Sequence, residues 1–284
     1  MSTTLAPRTR RRPLRQRING GLLSLLAWVA GIAFFFPVGW MVLSSFKTEG
    51  DAYTNPPKFV FEPTLEQYIS IFQRGIEPYA VNSLFASLVS LALVLVLSIP
   101  AAYALSVRRI SRWRDSMFFF LSTRFLPPAA AIVPLYLIAR DIGALDNIWT
   151  LTVLYTAMNL SLAIWMLQSF MSEIPTELFE AASLDGASLI MTFRKIILPL
   201  MLPGIAATAV ICFIFSWNEF FFAVNLTSSA AETLPIFLVG FMASEGPFWA
   251  QLSAAATLAT LPVLLVGWLA QDKLVRGLTM GAVK

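Results

Sequence analysis

Six predominantly apolar runs, each long enough to cross a lipid bilayer, set the limits on what this chain can fold into. They cover about residues 21–46, 81–107, 117–139, 150–170, 200–224 and 252–270. A helix rises about 1.5 Å per residue, so roughly 20 apolar residues span a hydrocarbon layer of about 30 Å. Inside that layer every backbone N–H and C=O must be bonded within protein, which leaves helices or closed barrels. Long unbroken apolar runs, rather than short alternating ones, select helices. Composition agrees: 57% of the 284 residues are hydrophobic and only 13% charged, about half the share of a soluble domain. The expected fold class is therefore all-α integral membrane, with six transmembrane helices.

Charge between the runs orients the chain. Arg8, Arg10, Arg11, Arg12, Arg15 and Arg17 crowd the first 20 residues, which hold no acid. The apolar run after them is too long for a cleaved secretory signal and reads as an uncleaved first span. Arg108, Arg109, Arg112 and Arg114 follow the second run, Arg194 and Lys195 precede the fifth, and Lys273, Arg276 and Lys284 follow the sixth. The alternate segments hold only Lys47, Lys58, Arg74 and Arg140. The positive-inside rule then places both termini in the cytoplasm. The chain divides into a basic tail (1–20), a six-span domain (21–270) with a cytoplasmic loop at 171–198, and a cytoplasmic tail (271–284). Segment 47–78 is too polar to span, and its stretch 64–72 has the spacing of a short amphipathic helix with Thr64 as a cap. Pro127, Pro128 and Pro134 predict a kink or break in the third span.

Several functions are excluded by what the chain lacks. Without histidine it can build neither a usual zinc site nor a Ser/His/Asp triad, and no catalytic or metal-binding residues are assigned. Cys212 is the single cysteine, so no disulfide forms within the chain. The phosphate-cradling Gly-x-x-x-x-Gly-Lys-Ser/Thr pattern is absent. The net charge of +4 is spread beside membrane spans, against lipid headgroups, and marks no nucleic-acid partner.

Loop 171–198 reads as two short helices with a turn between them. Pro175 suits a first helical turn, and Glu177 and Glu180 lie near its positive end. Leu178, Ala181 and Ala182 share a face, and the two alanines leave little bulk against a partner. Gly186 can end that helix in the left-handed conformation. A second helix ends near Arg194 and Lys195, and Pro199 is expected to break the chain at the membrane surface.

Glu180-Ala181-Ala182, then Gly186, then Ile196, Leu198 and Pro199, resembles in residue and spacing the cytoplasmic signature of ABC-importer membrane subunits. Leu184-Asp185-Gly186-Ala187, Ser216-Trp217-Asn218-Glu219-Phe220, Thr233-Leu234-Pro235 and the ending Arg276-Gly277-Leu278-Thr279-Met280-Gly281-Ala282-Val283-Lys284 are similar to the maltose-type, carbohydrate-importing branch. The resemblance covers nearly the whole chain. It implies a type I ABC importer transmembrane domain in a bacterial inner membrane. It also implies a coupling helix at Glu180, Ala181, Ala182, Leu184, Asp185 and Gly186 that docks on a cytoplasmic ATPase. The implied partners are two such ATPase subunits carrying ATP-Mg, a second permease, which is expected to be homologous, and an extracytoplasmic solute-binding protein. This chain itself would bind no cofactor. By the same resemblance, the segment 225–251 faces the binding protein; its alternative is a re-entrant cap on the bundle. The competing class is an ion-coupled secondary transporter, which would want buried acids and internal repeats.

Polar residues inside apolar runs are the candidates for a substrate path: Asn82, Arg124, Asn159, Trp217, Asn218 and Glu219. Asn159 could line the path or hydrogen-bond between helices. Glu219, at the far end of the fifth run, could simply be hydrated. Arg124 could pair with an acid, touch backbone carbonyls near Pro127-Pro128, snorkel, or act as an anion-accepting or gating residue. Its surroundings, Ser122-Thr123-Arg124-Phe125-Leu126-Pro127-Pro128, are similar to polyol-importing members of the same family.

Overall fold

The computed structural model describes residues 14–107, 111–125, 127–242 and 248–280. The arginines at 8–12, Arg108, Arg109, the residues Ser244, Gly246 and Pro247, and the last four residues lie outside the described residues.

Among the described residues thirteen α-helices run in order: α1 (Leu14–Ser44), α2 (Glu49–Ala52), α3 (Glu66–Gln73), α4 (Ile76–Ser106), α5 (Trp113–Arg124), α6 (Pro128–Asp141), α7 (Ile148–Ser172), α8 (Thr176–Leu184), α9 (Leu189–Thr192), α10 (Leu198–Trp217), α11 (Phe221–Leu226), α12 (Leu234–Val239) and α13 (Trp249–Met280). Among the described residues five continuous helical stretches are long and apolar enough to span, and α5 and α6 pass the same test together as a sharply bent pair. The break falls where the sequence places Pro127 and Pro128. Pro128 opens α6, where its missing N–H costs nothing. Pro37, Pro100, Pro134, Pro203 and Pro262 all sit inside helices that continue through them.

The sequence reading started the second span late, at Val81, since α4 begins at Ile76. It also overran the fifth, which ends at Trp217, with α11 as a separate helix. Pro199 does not break the chain. It lies in the first turn of α10, and a π-helical turn at Phe193–Ile197 joins α9 to α10 without interruption. There the Leu198 N–H donates to the Phe193 carbonyl, one residue wider than an α turn. Thr64 does not occupy the cap position of α3, which is Leu65, but its hydroxyl accepts a bond from the Glu66 N–H at 3.1 Å.

The bundle is packed by small residues. The buried positions of α4 include Ser83, Ala86, Ser87, Ser90, Val94, Ser98 and Ala102, whereas Leu88, Leu93, Val96 and Leu97 face outward. In lipid, apolar bulk gains nothing by turning inward, so close backbone approach and hydrogen bonds drive helix association instead. Accordingly α4 packs along α7, and α10 lies against α4, α7 and α13. Gly204 of α10 faces Phe170 of α7 so closely that an added Cβ would stand 2.6 Å from the ring. The first helix stands apart: it packs on α13, and Leu23, Trp28, Ile32, Phe34 and Phe35 are all more than half exposed.

Candidate functional site

Between α7 and α10 the chain turns back through an elbow made of α8 and α9. Pro175 precedes α8 rather than opening it, and Glu177 lies in its first turn. The helix ends in a Schellman motif: the Ala187 N–H donates to the Ala182 carbonyl (2.9 Å) and the Gly186 N–H to the Ser183 carbonyl (3.1 Å). Gly186 takes φ +70°, the left-handed conformation expected of it. Ser188 then caps α9, its hydroxyl accepting from the Met191 N–H.

Of the six residues expected to meet an ATPase, five are exposed: Glu180, Ala181, Leu184, Asp185 and Gly186. Ala182 is not; only 5% of it is accessible, so it faces inward and cannot itself form a docking contact. The alanine pair is thus divided, one outward and one inward. The sequence reading missed the apolar surface beside it. Leu184 is 89% exposed and Ile190 72%, with Leu189 and Met191 also outward. These side chains all lie on the loop between α7 and α10, just before Arg194 and Lys195. Apolar exposure next to a polar break in the hydropathy was the signal that could have revealed it.

The candidate path residues do not converge on one place. Asn159 is fully buried where α4, α7 and α10 meet, its amide donating to Ser216 Oγ (3.0 Å) and to the Tyr155 carbonyl (3.0 Å). Ser216 Oγ in turn lies 3.1 Å from Ser90 Oγ. That is the interhelical hydrogen-bonding arrangement. Trp217 is buried and donates through Nε1 to the Ala259 carbonyl of α13. With Asn218, Leu234, Pro235, Leu238 and Thr260 it lines a recess of about 280 Å³ between α10, α12 and α13. Arg124 closes α5, with Nη1 donating to the Met158 carbonyl of α7 at 3.0 Å.

Three carboxylates organise the end of the bundle opposite the elbow, each by accepting backbone N–H bonds. Glu219 is 9% exposed, so it is not hydrated; it accepts from Phe222 N (2.8 Å) and Ala223 N (3.3 Å) at the start of α11. Glu49 accepts from Ala250 N (3.1 Å) and Gln251 N (2.9 Å) at the start of α13. Asp146, in the turn before α7, receives N–H bonds from Ser228, Ser229, Ala230 and Ala231, all between 3.0 and 3.2 Å. Burial raises the Asp146 carboxyl pKa, but these bonds outweigh it and hold the group well below the usual carboxylate range. Asn82 completes the arrangement, its amide donating to the Ala230 and Glu232 carbonyls at 2.9 Å. Ser83 Oγ accepts from the Leu234 N–H. Segment 226–234 is therefore tied down along its backbone, with Phe222, Leu226 and Leu234 buried and Ser228–Ala230 exposed at its tip.

Residues 95–280 match the family model described as "Binding-protein-dependent transport system inner membrane component". The chain belongs to that family. Its relatives cover it nearly end to end. The probable ABC transporter permease y4oR of Sinorhizobium fredii is 41% identical over 94% of this chain and 97% of its own length. The diacetylchitobiose uptake permease DasC of Streptomyces coelicolor is 33% identical over 92% and 96%. The trehalose/maltose permease MalG of Thermococcus litoralis is 34% identical over 93% and 96%. Among solved structures, a chain of a bacterial ABC transporter for import of the acidic polysaccharide alginate superposes with a TM-score of 0.73 at 21% identity, over 93% of this chain and 99% of that one. The protein is an ABC importer permease, and family membership displaces the ion-coupled transporter reading.

Proposed function

We propose that this permease forms half of the translocation path of an ATP-driven carbohydrate importer, with the elbow as its coupling element. A second permease completes the path, two cytoplasmic ATPase subunits hydrolyse ATP-Mg, and an extracytoplasmic solute-binding protein delivers the sugar to the Asp146 end. The carbohydrate class is supported by relatives named for diacetylchitobiose, trehalose/maltose and sulfoquinovosyl glycerol. Both termini and the elbow lie in the cytoplasm in this reading, as the arginine bias requires.

The observation that carries the coupling role is the exposed apolar cluster of Leu184, Leu189, Ile190 and Met191 on a loop that is stiffened at its turn and runs without a break into a spanning helix. A soluble loop has no reason to expose four large apolar groups together, whereas a docking surface does. Because the elbow is continuous with α10, a push from an ATPase is delivered to the bundle as a rigid-body displacement. The test uses the complete transporter. Cys212 is fully buried, so Leu184→Cys supplies the one accessible thiol among the described residues. Crosslinking from it should capture an ATPase subunit, in a manner that changes with bound nucleotide. Capture of no ATPase would overturn the coupling assignment.

A further inference from the structure

Among the described residues, the guanidinium of Arg124 is a charge at membrane depth with no acid paired to it. Met158, whose carbonyl it meets at 3.0 Å, is about 15 Å from the Asn147 end of α7 and about 20 Å from the other. That tether, and the Phe215 ring 5.0 Å away, hold the side chain against the middle of the bundle rather than toward headgroups. Snorkelling is thereby ruled out for this conformation. Among the described residues no carboxylate lies within 4 Å of it, and one N–H of its five donors is bonded. Arg124 is nevertheless exposed, as are Phe125 (85%) and Phe215 (41%) beside it.

Lipid is kept off this face because an uncompensated guanidinium in hydrocarbon is expensive. What the face offers is a planar cation that can hold an anionic group in two bonds, next to an exposed aromatic ring that can cover the C–H face of a sugar.

We propose that the exposed face around Arg124, where α5 meets α7 and α10, is an anion-accepting subsite on the translocation path, where Arg124 favours carbohydrates bearing an acidic group. The proposal rests on the importer reading, and its test separates the two. The whole transporter, held in lipid nanodiscs without its solute-binding protein, is equilibrated with radiolabelled glucuronate or radiolabelled glucose. Glucuronate should be retained about tenfold or more over glucose, the scale of a hydrogen bond to a charged group. Arg124→Gln should bring the two sugars to parity, Arg124→Lys should keep part of the preference, and added salt should weaken it. Equal retention of both sugars by the unaltered transporter overturns the subsite, and so does a preference that survives Arg124→Gln. If Arg124→Gln instead separates the two permeases and the unaltered transporter shows no preference, Arg124 pairs with a partner's carboxylate and the subsite is likewise overturned. Leu184→Cys crosslinking in the same preparations reports on assembly. A crosslinked transporter without charge preference removes the subsite alone, and a failed crosslink removes the coupling assignment instead.

Discussion

Gly186 holds the elbow's turn at φ +70°, where a Cβ is disfavoured by about 1–2 kcal/mol although no neighbouring atom would touch it. Gly186→Ala should therefore loosen the turn and lower uptake several-fold while insertion stays normal. Gly186→Asn, which tolerates the left-handed conformation, should retain more activity than Ala. Uptake by transporter reconstituted in vesicles checks the order; Ala matching wild type would show that the turn need not be stiff. At the other end, Asp146 accepts N–H bonds from four successive residues, the densest set of contacts made by any of the acids described above. Asp146→Asn keeps the shape but loses charge-assisted bonding, and should cost on the order of 1.5–3 kcal/mol of stability, read as a lower unfolding temperature. Its folded pKa is depressed, so its stabilisation is fully present above the ordinary carboxylate pKa of about 4 and lost as pH falls toward the folded value. Wild type should lose stability more steeply than Asp146→Asn on acidification below about pH 4. Neither the role of Asp146 nor that of Glu219 was legible in the chain. A carboxylate's use depends on which backbone N–H groups reach it, and those of Asp146 come from residues more than 80 positions away.

At the scale of elements, the spans were readable because lipid imposes one length and one polarity on each of them. Their ends were less so. Apolar residues dominate from Leu198 through Leu226, yet the helix stops at Trp217 and restarts at Phe221, with Glu219 capping the restart. The elbow's two helices and the glycine between them followed from local chemistry and are present. The inward rotation of Ala182 and the π turn that absorbs Pro199 did not, since both depend on how the elbow meets α10. The α7–α10 contact supplies a test at this scale. Gly204→Leu would force the backbone of α10 away from Phe170, and overpacking of this kind costs about 1–3 kcal/mol or more. The smaller Gly204→Ala should do the same to a lesser degree, and pairing it with Phe170→Leu should recover part of the loss. A thermal unfolding series on the purified transporter would reveal it; no loss in either single variant would mean that the two helices are free to separate.

For the whole molecule the decisive variable is which end faces the ATPase. The proposed orientation puts Leu184 and Ser229 on opposite sides of the membrane, since the elbow and the Asp146-bound segment occupy opposite ends of the bundle. A membrane-impermeant thiol reagent applied to intact cells should label Ser229→Cys and spare Leu184→Cys, and inside-out vesicles should reverse the pattern. Labelling of Leu184→Cys from outside would invert the topology and end the coupling assignment. What the sequence determined by itself was the membrane fold, the place of the α5–α6 break and the position of the elbow. Each of these follows from hydropathy, proline and glycine, which act on the few residues around them. Only the tertiary structure decided which polar groups are spent holding helices together and which remain available. Asn159 and Trp217 are consumed by bonds to α10 and α13, whereas Arg124 and Leu184 are left facing outward. That partition depends on the rotation of each helix about its own axis, and in lipid the rotation is set by contacts among small side chains on separate helices rather than by any hydrophobic stripe along one of them.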